Sequence, residues 1–232
     1  MSIMKLNYEI LSGELIEILP KIFAVSIKND YDRAMLFCRY QEFYESPFKE
    51  IRGKHFSLEY YMWIYTKQRK NEIFTYPRDW SGYNIPSGSI EKALNVFYYK
   101  NTPSPYDKIM SKIYFTCENY PLKFGKPRSK WYLLGADSYK SQTMDHEIAH
   151  GLYYTNKEYK KSVQELISKI RSKDYSFLCK NLVSMGYAND RKILDDEIQA
   201  FLSTGLYKSF NTKEIKKYTA DFETNFREFR NI

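Results

Sequence analysis

Two histidines and a glutamate stand close together in the second half of the chain, in the segment MDHEIAHGLYYTN. His146, Glu147 and His150 follow the pattern His-Glu-x-x-His. On a helix, residues four apart share one face, so both imidazoles can present a ring nitrogen to one zinc ion at about 2.0–2.1 Å. Glu147 lies about 100° round that helix, where it can reach a water held by the metal without being a ligand. The spacing therefore predicts a zinc site with an adjacent general base.

Two histidines are too few for a catalytic zinc ion, which usually takes three protein ligands and a water. His55 is the only other histidine, and no third histidine follows His150 closely. We therefore expect a carboxylate as the third ligand. Glu197 is favoured because it lies beside the apolar stripe of a predicted helix over 190–206, with Ala200 one turn on. The alternatives are Asp196, Asp190 and Glu165.

Further residues are candidates for supporting roles around this site. Asp195 or Asp196, which precede Glu197, can hydrogen-bond a ligand histidine. The oxyanion formed in hydrolysis needs a donor, and with so few histidines a tyrosine is the natural candidate. Tyr153 is favoured because it returns to nearly the same helical face as His146. The other candidates are Tyr154, Tyr187 and Tyr207.

These motifs resemble the active site of the zincin metallopeptidases, and in particular of their glutamate-liganded branch, the gluzincins. That family places His-Glu-x-x-His on an active-site helix and a glutamate ligand on a later helix. The resemblance covers about residues 110–205. It implies that His146, His150 and Glu197 bind one Zn²⁺ per chain. It also implies that Glu147 is the general base in the hydrolysis of peptide bonds by a metal-activated water.

The resemblance is incomplete around the third ligand. Family members often carry Asn-Glu-x-x-x-Asp there, whereas Phe201 stands in the place of that aspartate. The family also places an extended strand before the active-site helix, and the edge of that strand pairs with a peptide substrate. The segment KWYLLGAD, residues 130–137, stands in the corresponding position.

Two other functions remain open. One is a non-proteolytic or degenerate zincin with the same metal site. The other is a basic, tyrosine-rich module that binds nucleic acid by stacking its 23 tyrosines on bases. The absence of a recognition motif and the scattered basic residues disfavour nucleic acid. The net charge of +8 suits an acidic protein or peptide substrate instead.

Composition excludes several classes of protein. The chain has 232 residues, of which 43% are apolar, so wholesale disorder is excluded. Its three cysteines include no Cys-x-x-Cys pair, which argues against a disulfide scaffold or a thiolate zinc site and predicts a reducing, cytoplasmic compartment. No apolar run approaches the roughly 20 residues of a bilayer span. We expect a monomer without a membrane span.

The pattern of apolar residues predicts an α+β chain that is mostly helical, with a small sheet before the His-Glu-x-x-His helix. The linker candidate is NTPSPYD, residues 101–107. It divides the chain into a mostly helical N-terminal region, 1–105, and a zincin-like catalytic region, 106–232, which can pack as one domain.

Individual elements follow from local patterns. In the first region, we expect helices at 30–45, at 57–67 and from Ser87 or Ser89 to about Tyr99, with a long loop at 75–89. Strands are expected at 111–118 and 130–137, separated by Pro121, Gly125 and Pro127. The C-terminal part is expected to be helical, at 140–155, 158–171, 174–185, 190–206 and 212–230.

Overall fold

The chain forms two compact units, Met1–Ser141 and Gln142–Ile232. The computed structural model describes residues 3–69, 73–99, 103–119, 130–205 and 208–231. These residues are α+β and mostly helical with a small sheet, as the sequence predicts, and the sheet has five strands among them. In the described residues, no helix combines the length and the apolar character that crossing a membrane requires.

The sheet lies in the first unit. Its strands are β1 (Met4–Tyr8), β2 (Leu11–Leu19), β3 (Ile22–Ser26), β4 (Tyr83–Pro86) and β5 (Tyr132–Ala136). The first three form an antiparallel meander, which the sequence analysis did not predict. β5 then pairs in parallel with β3 and antiparallel with β4, which gives the order β1-β2-β3-β5-β4.

Within its described part, the first unit has five helices beside the sheet: α1 (Asp30–Glu45), α2 (Leu58–Gln68), α3 (Tyr76–Asp79), α4 (Ser87–Tyr99) and α5 (Pro105–Asn119). The helices predicted at 30–45, at 57–67 and up to Tyr99 are confirmed. Ser57 caps α2 as expected, because its side chain accepts a hydrogen bond from the Tyr60 backbone N–H. The segment predicted as a long loop, 75–89, instead contains α3 and β4.

The predicted strand at 111–118 is wrong, because these residues belong to α5. Ile109, Met110, Ile113 and Cys117 are buried at helical spacing, which outweighs the β-forming composition of the segment. Pro105, taken as part of a linker, is the first residue of this helix, where its fixed φ is favourable. The division of the chain into its two compact units falls after Ser141. Asn101, Thr102, Pro121, Gly125 and Pro127 lie outside the described residues.

The predicted strand at 130–137 is confirmed as β5, but it lies inside the sheet. Ile22 of β3 is opposite Tyr132 on one side, and Tyr83 of β4 is opposite Gly135 on the other. All five residues of β5 are buried, which explains the continuous apolar run in its sequence. Because both edges of β5 are paired, the expectation that this strand pairs with a peptide substrate is wrong.

The second unit is helical, as predicted. Its helices are α6 (Gln142–Thr155), α7 (Lys157–Ser168), α8 (Ser172–Met185), α9 (Arg191–Thr204) and α10 (Lys213–Arg230), with a short 3-10 turn at Lys208–Phe210. α9 packs against α6, α8 and α10, and α7 packs against α6 and α10. The two helices that matter most for the candidate site, α6 and α9, are therefore direct neighbours.

Glu42 of α1 is an ionisable group inside the apolar core of the first unit. Its side chain is buried, and the hydroxyl groups of Ser46, Tyr61 and Tyr76 stand close to it. Burial raises the pKa of Glu42 to about 7, since these hydroxyl groups only partly offset the loss of hydration. The folded chain therefore retains a proton that the unfolded chain releases at lower pH.

This raised pKa predicts a pH-dependent stability for the first unit. Between about pH 4.5 and 7 the folded state binds more protons than the unfolded state, so stability falls as pH rises, by about 2–3 kcal/mol. Glu42→Gln should flatten this dependence, and Glu50→Gln, at an exposed position, should not. Urea unfolding at pH 5 and pH 8 can be followed by tryptophan fluorescence, because Trp63, Trp80 and Trp131 all belong to this unit. If Glu42→Gln loses as much unfolding free energy between pH 5 and pH 8 as the wild type does, the prediction is wrong.

Candidate metal centre

Helix α6 carries both histidines and Glu147 on adjoining faces. His146 and His150 are one turn apart, and their Nε2 atoms lie 3.3 Å from each other. His150 and Glu147 are buried, with 2% and 6% of their surfaces exposed, whereas His146 is half-buried. The apolar residues that hold this helix in the unit are Met144, Ile148, Ala149 and Leu152. Both imidazoles therefore face one point at the edge of the core.

Glu197, on α9, meets the two histidines at that point. Its Oε1 lies 3.6 Å from Nε2 of His150, and its Oε2 lies 3.8 Å from Nε2 of His146. Two atoms that bind one zinc ion tetrahedrally at about 2.0–2.1 Å are themselves about 3.3–3.4 Å apart. The separation of the two imidazole nitrogens matches this value, and each carboxylate oxygen lies a few tenths of an ångström further from the imidazole nitrogen that it faces.

The chemistry of the three side chains fits a divalent cation. Each offers one ligand atom, and the three atoms lie within 4.8 Å of one another. Oε2 of Glu197 is buried and has no hydrogen-bond partner among the described residues. Because an unpaired buried carboxylate oxygen is destabilising, a cation at this point would remove an unfavourable contact. Two imidazoles and one carboxylate also form a ligand set typical of catalytic zinc.

The charges of the ligands favour the same conclusion. Burial alone would raise the pKa of Glu197, but His150, His146 and the nearby Tyr187 hydroxyl outweigh it and hold the pKa below its usual value. Burial alone would lower the pKa of His150, but Asp196 and Glu197 outweigh it and hold the pKa well above its usual value. The negative surroundings that attract a proton to His150 attract a metal cation to the same nitrogen.

Hydrogen bonds on the far side of each ring fix the histidine tautomers. Nδ1 of His150 lies 2.8 Å from Oδ1 of Asp196, so this nitrogen carries a proton and donates it. Nδ1 of His146 lies 3.3 Å from Oγ1 of Thr204, whose own proton is donated to the Ala200 carbonyl at 2.7 Å. The threonine oxygen therefore accepts from His146. With Nδ1 protonated in both rings, Nε2 is the atom that each ring would offer to a metal.

Of the two aspartates considered for this supporting role, only Asp196 has it. Asp195 accepts a hydrogen bond from the Tyr175 hydroxyl at 2.6 Å and lies 3.6 Å from the Arg191 guanidinium. Asp195 therefore belongs to the contact between α8 and α9 and not to the surroundings of the histidines.

The alternatives to Glu197 as third ligand have other positions. Asp196 is engaged at the far side of His150, as described above. Asp190 caps α9, because its side chain accepts from the Lys192 backbone N–H at 2.8 Å. Glu165 is exposed on α7. The geometry accordingly favours Glu197.

The candidate tyrosines differ in what they contact. Tyr153 is buried on α6, interacts with Gln164 and has the Lys160 ammonium 4.7 Å from its ring centre. Tyr187 is near enough to Glu197 for its hydroxyl group to lower the pKa of that carboxyl group. Tyr154 is half-buried on α6, and Tyr207 lies outside the described residues. The structure thus favours Tyr187 over Tyr153 as a donor near the cluster.

A glycine cap holds Tyr187 in position. Helix α8 ends in Gly186, which has a left-handed φ of 107° that a glycine adopts without strain. The Gly186 N–H donates to the Val183 carbonyl, and the Tyr187 N–H donates to the Leu182 carbonyl at 3.2 Å. This is a Schellman motif, which fixes the first residues after a helix. Tyr187 therefore starts from a rigid backbone and not from a loose loop.

Phe201 occupies the place in which the gluzincins often have an aspartate, and its ring centre lies 4.5 Å from that of His146. The polar contact to His146 comes from Thr204 instead, one turn further along α9. The sequence analysis missed Thr204, although its spacing of seven residues from Glu197 returns it to the same helical face. It also missed Gln199, whose amide donates a hydrogen bond to Asp196. The signal for it in the sequence was a polar side chain next to an apolar stripe.

We expect one zinc ion per wild-type chain after reconstitution and dialysis, measured by elemental mass spectrometry. His146→Ala and Glu197→Ala should each lose the metal, because two remaining ligands hold zinc too weakly. Glu165→Ala should retain it and serves as the control for removal of a carboxylate. A wild-type chain that binds no zinc would exclude the site, and zinc retained in Glu197→Ala would exclude this residue as a ligand.

Comparison of the chain with protein-family models, with curated proteins and with solved structures gives no match. The functional interpretation therefore depends on the residues of the site and on their geometry.

Proposed function

We propose that the chain is a zinc-dependent metallopeptidase of the zincin type, with His146, His150 and Glu197 as the zinc ligands. The observation that supports this most directly is the convergence of three ligand atoms within 4.8 Å, next to the buried carboxylate of Glu147. A purely structural zinc site would not need a further glutamate beside its ligands. A catalytic one needs such a group to handle protons.

The bound zinc ion would supply Lewis acidity, which activates water and polarises the scissile carbonyl group. Glu147 takes the proton of the attacking water and passes it to the leaving amine. Its position one residue after His146 places it beside the ligands without making it one. Asp196 and Thr204 hold the two imidazoles in the tautomer that leaves Nε2 available.

Tyr187 is our candidate for the hydroxyl group that donates to the oxyanion as the peptide bond is attacked. Its place beside Glu197 and its rigid attachment to the end of α8 support this role. Tyr153, favoured by its sequence position, interacts with Gln164 instead.

The proposed substrate is a protein or peptide, and the net charge of +8 favours an acidic one. The sequence has three cysteines and no Cys-x-x-Cys pair, which supports a reducing cytoplasmic compartment. A non-proteolytic zinc hydrolase is the second candidate, because both edges of β5 are paired within the sheet. Cleavage of a peptide library, compared with hydrolysis of small esters and amides, distinguishes these two candidates.

Glu147→Gln tests the mechanism. The amide cannot accept the proton of the attacking water, so turnover should fall by about 10²- to 10⁴-fold while the zinc content is unchanged. The measurement is zinc-dependent, chelator-sensitive cleavage of a peptide library, with zinc content determined on the same sample. Full activity in this variant would rule out the proposed mechanism.

Tyr187→Phe tests the oxyanion donor. Loss of the hydroxyl group should lower kcat by about 10²- to 10³-fold and leave the zinc content unchanged. Tyr153→Phe is the matched control, because it removes a hydroxyl group from a tyrosine on α6 that interacts with Gln164. A larger loss of activity in Tyr153→Phe than in Tyr187→Phe would reverse the assignment.

A further inference from the structure

We propose that Tyr159 is a positioning residue for the metal centre, which acts on His150 through Gln199 and Asp196. This inference depends on the proposed zinc site, and it does not depend on peptidase activity. Tyr159 lies on α7, at the far end of a row of hydrogen-bonded polar groups that leads to His150. Tyr159 and Gln199 are both completely buried, with 0% of their surfaces exposed.

Three hydrogen bonds join these residues in sequence. The Tyr159 hydroxyl donates to Oε1 of Gln199 at 2.8 Å. Nε2 of Gln199 donates to Oδ1 of Asp196 at 3.0 Å. The same Oδ1 accepts from Nδ1 of His150 at 2.8 Å. Each donor in this row therefore has an acceptor, and the row ends at the imidazole whose Nε2 faces Glu197 and His146.

The direction of these bonds depends on Tyr159. The Gln199 amide presents its NH₂ group to Asp196 only while its oxygen points towards Tyr159. The opposite orientation would place the amide oxygen against a carboxylate, which is repulsive. Without the Tyr159 hydroxyl, the buried amide oxygen loses this donor, and moving the side chain away from Asp196 relieves the unfavourable burial of an unpaired oxygen.

Asp196 needs this support because water competes for it. Its side chain is 22% exposed, so it can turn towards solvent and be hydrated there. Two donors on one oxygen, from Gln199 and His150, keep it on the side of the imidazole. When Asp196 turns away, His150 loses the acceptor that fixes its ring and tautomer, and its affinity for the metal falls.

A purely structural role would be to hold α7 against α9, and the chain contains a matched control for it. The Tyr175 hydroxyl on α8 donates to Oδ1 of Asp195 at 2.6 Å. This bond also joins a neighbouring helix to α9, through the adjacent carboxylate, but it does not lead to a ligand histidine. Tyr175→Phe and Tyr159→Phe therefore remove the same atom from two comparable contacts.

The test is the zinc affinity of the whole chain, measured with zinc alone by competition against a chromophoric chelator. We expect Tyr159→Phe to weaken binding about 3- to 10-fold, and Gln199→Met about 10- to 100-fold. Tyr175→Phe should stay within about twofold of the wild type. In the Co²⁺-loaded chain, the visible absorption bands should shift in the first two variants only, since they report on ligand geometry.

Urea unfolding of the metal-free chains shows whether each variant is folded. If Tyr159→Phe does not fold, the zinc affinity of Gln199→Met tests whether this row of hydrogen bonds positions the metal centre. Wild-type affinity and an unchanged cobalt spectrum in the folded Tyr159→Phe chain would overturn the inference and leave the zinc site intact. Equal losses in Tyr159→Phe and Tyr175→Phe would overturn it as well. If the wild-type chain binds no zinc, the metal site itself is wrong, and the inference fails with it.

Discussion

A carboxylate buried between two imidazoles is the interaction on which the second unit depends. Glu197 joins α9 to α6 at the point where both histidines expose Nε2. Such a carboxylate is stable in a dry site only if positive charge compensates it. A zinc ion would supply two charges, of which Glu197 balances one and Asp196, behind His150, the other. The side chains around Glu197 support the proposed cation, and the packing of α6 against α9 would set its place.

Much of this site follows from local sequence. The spacing of His146 and His150 is a property of one helix, and the position of Glu197 beside an apolar stripe shows which side of a second helix faces inward. Contacts between side chains of different helices do not follow in this way. Nothing in the sequence connects Tyr159 with Gln199, 40 residues later, or separates Asp195 from Asp196. Those assignments require the packing of α7, α8 and α9.

The sequence predicted the fold correctly where apolar residues recur at one clear helical spacing. It failed where tertiary packing determined the conformation against the local pattern of apolar residues. The five C-terminal helices each show an apolar stripe at helical spacing. The meander of β1, β2 and β3 does not alternate cleanly, because Leu15 and Ile16 of β2 are both buried. In α5, the β-branched and aromatic residues suggested a strand. The segment is instead a helix, in which Ile109, Ile113 and Cys117 lie on one buried face. Tertiary contacts decided the conformation of both segments.

Each unit is one uninterrupted stretch of chain, and this has a consequence for synthesis on the ribosome. The first unit is translated completely before any helix of the second, although its sheet has to wait for β5 to enter between β3 and β4. Glu197 follows His150 by 47 residues, which take about 2–9 s to translate at about 5–20 residues per second. During that interval the nascent chain carries both histidines without their carboxylate partner. If these three side chains bind the proposed metal ion, its capture by all three would follow the emergence of α9.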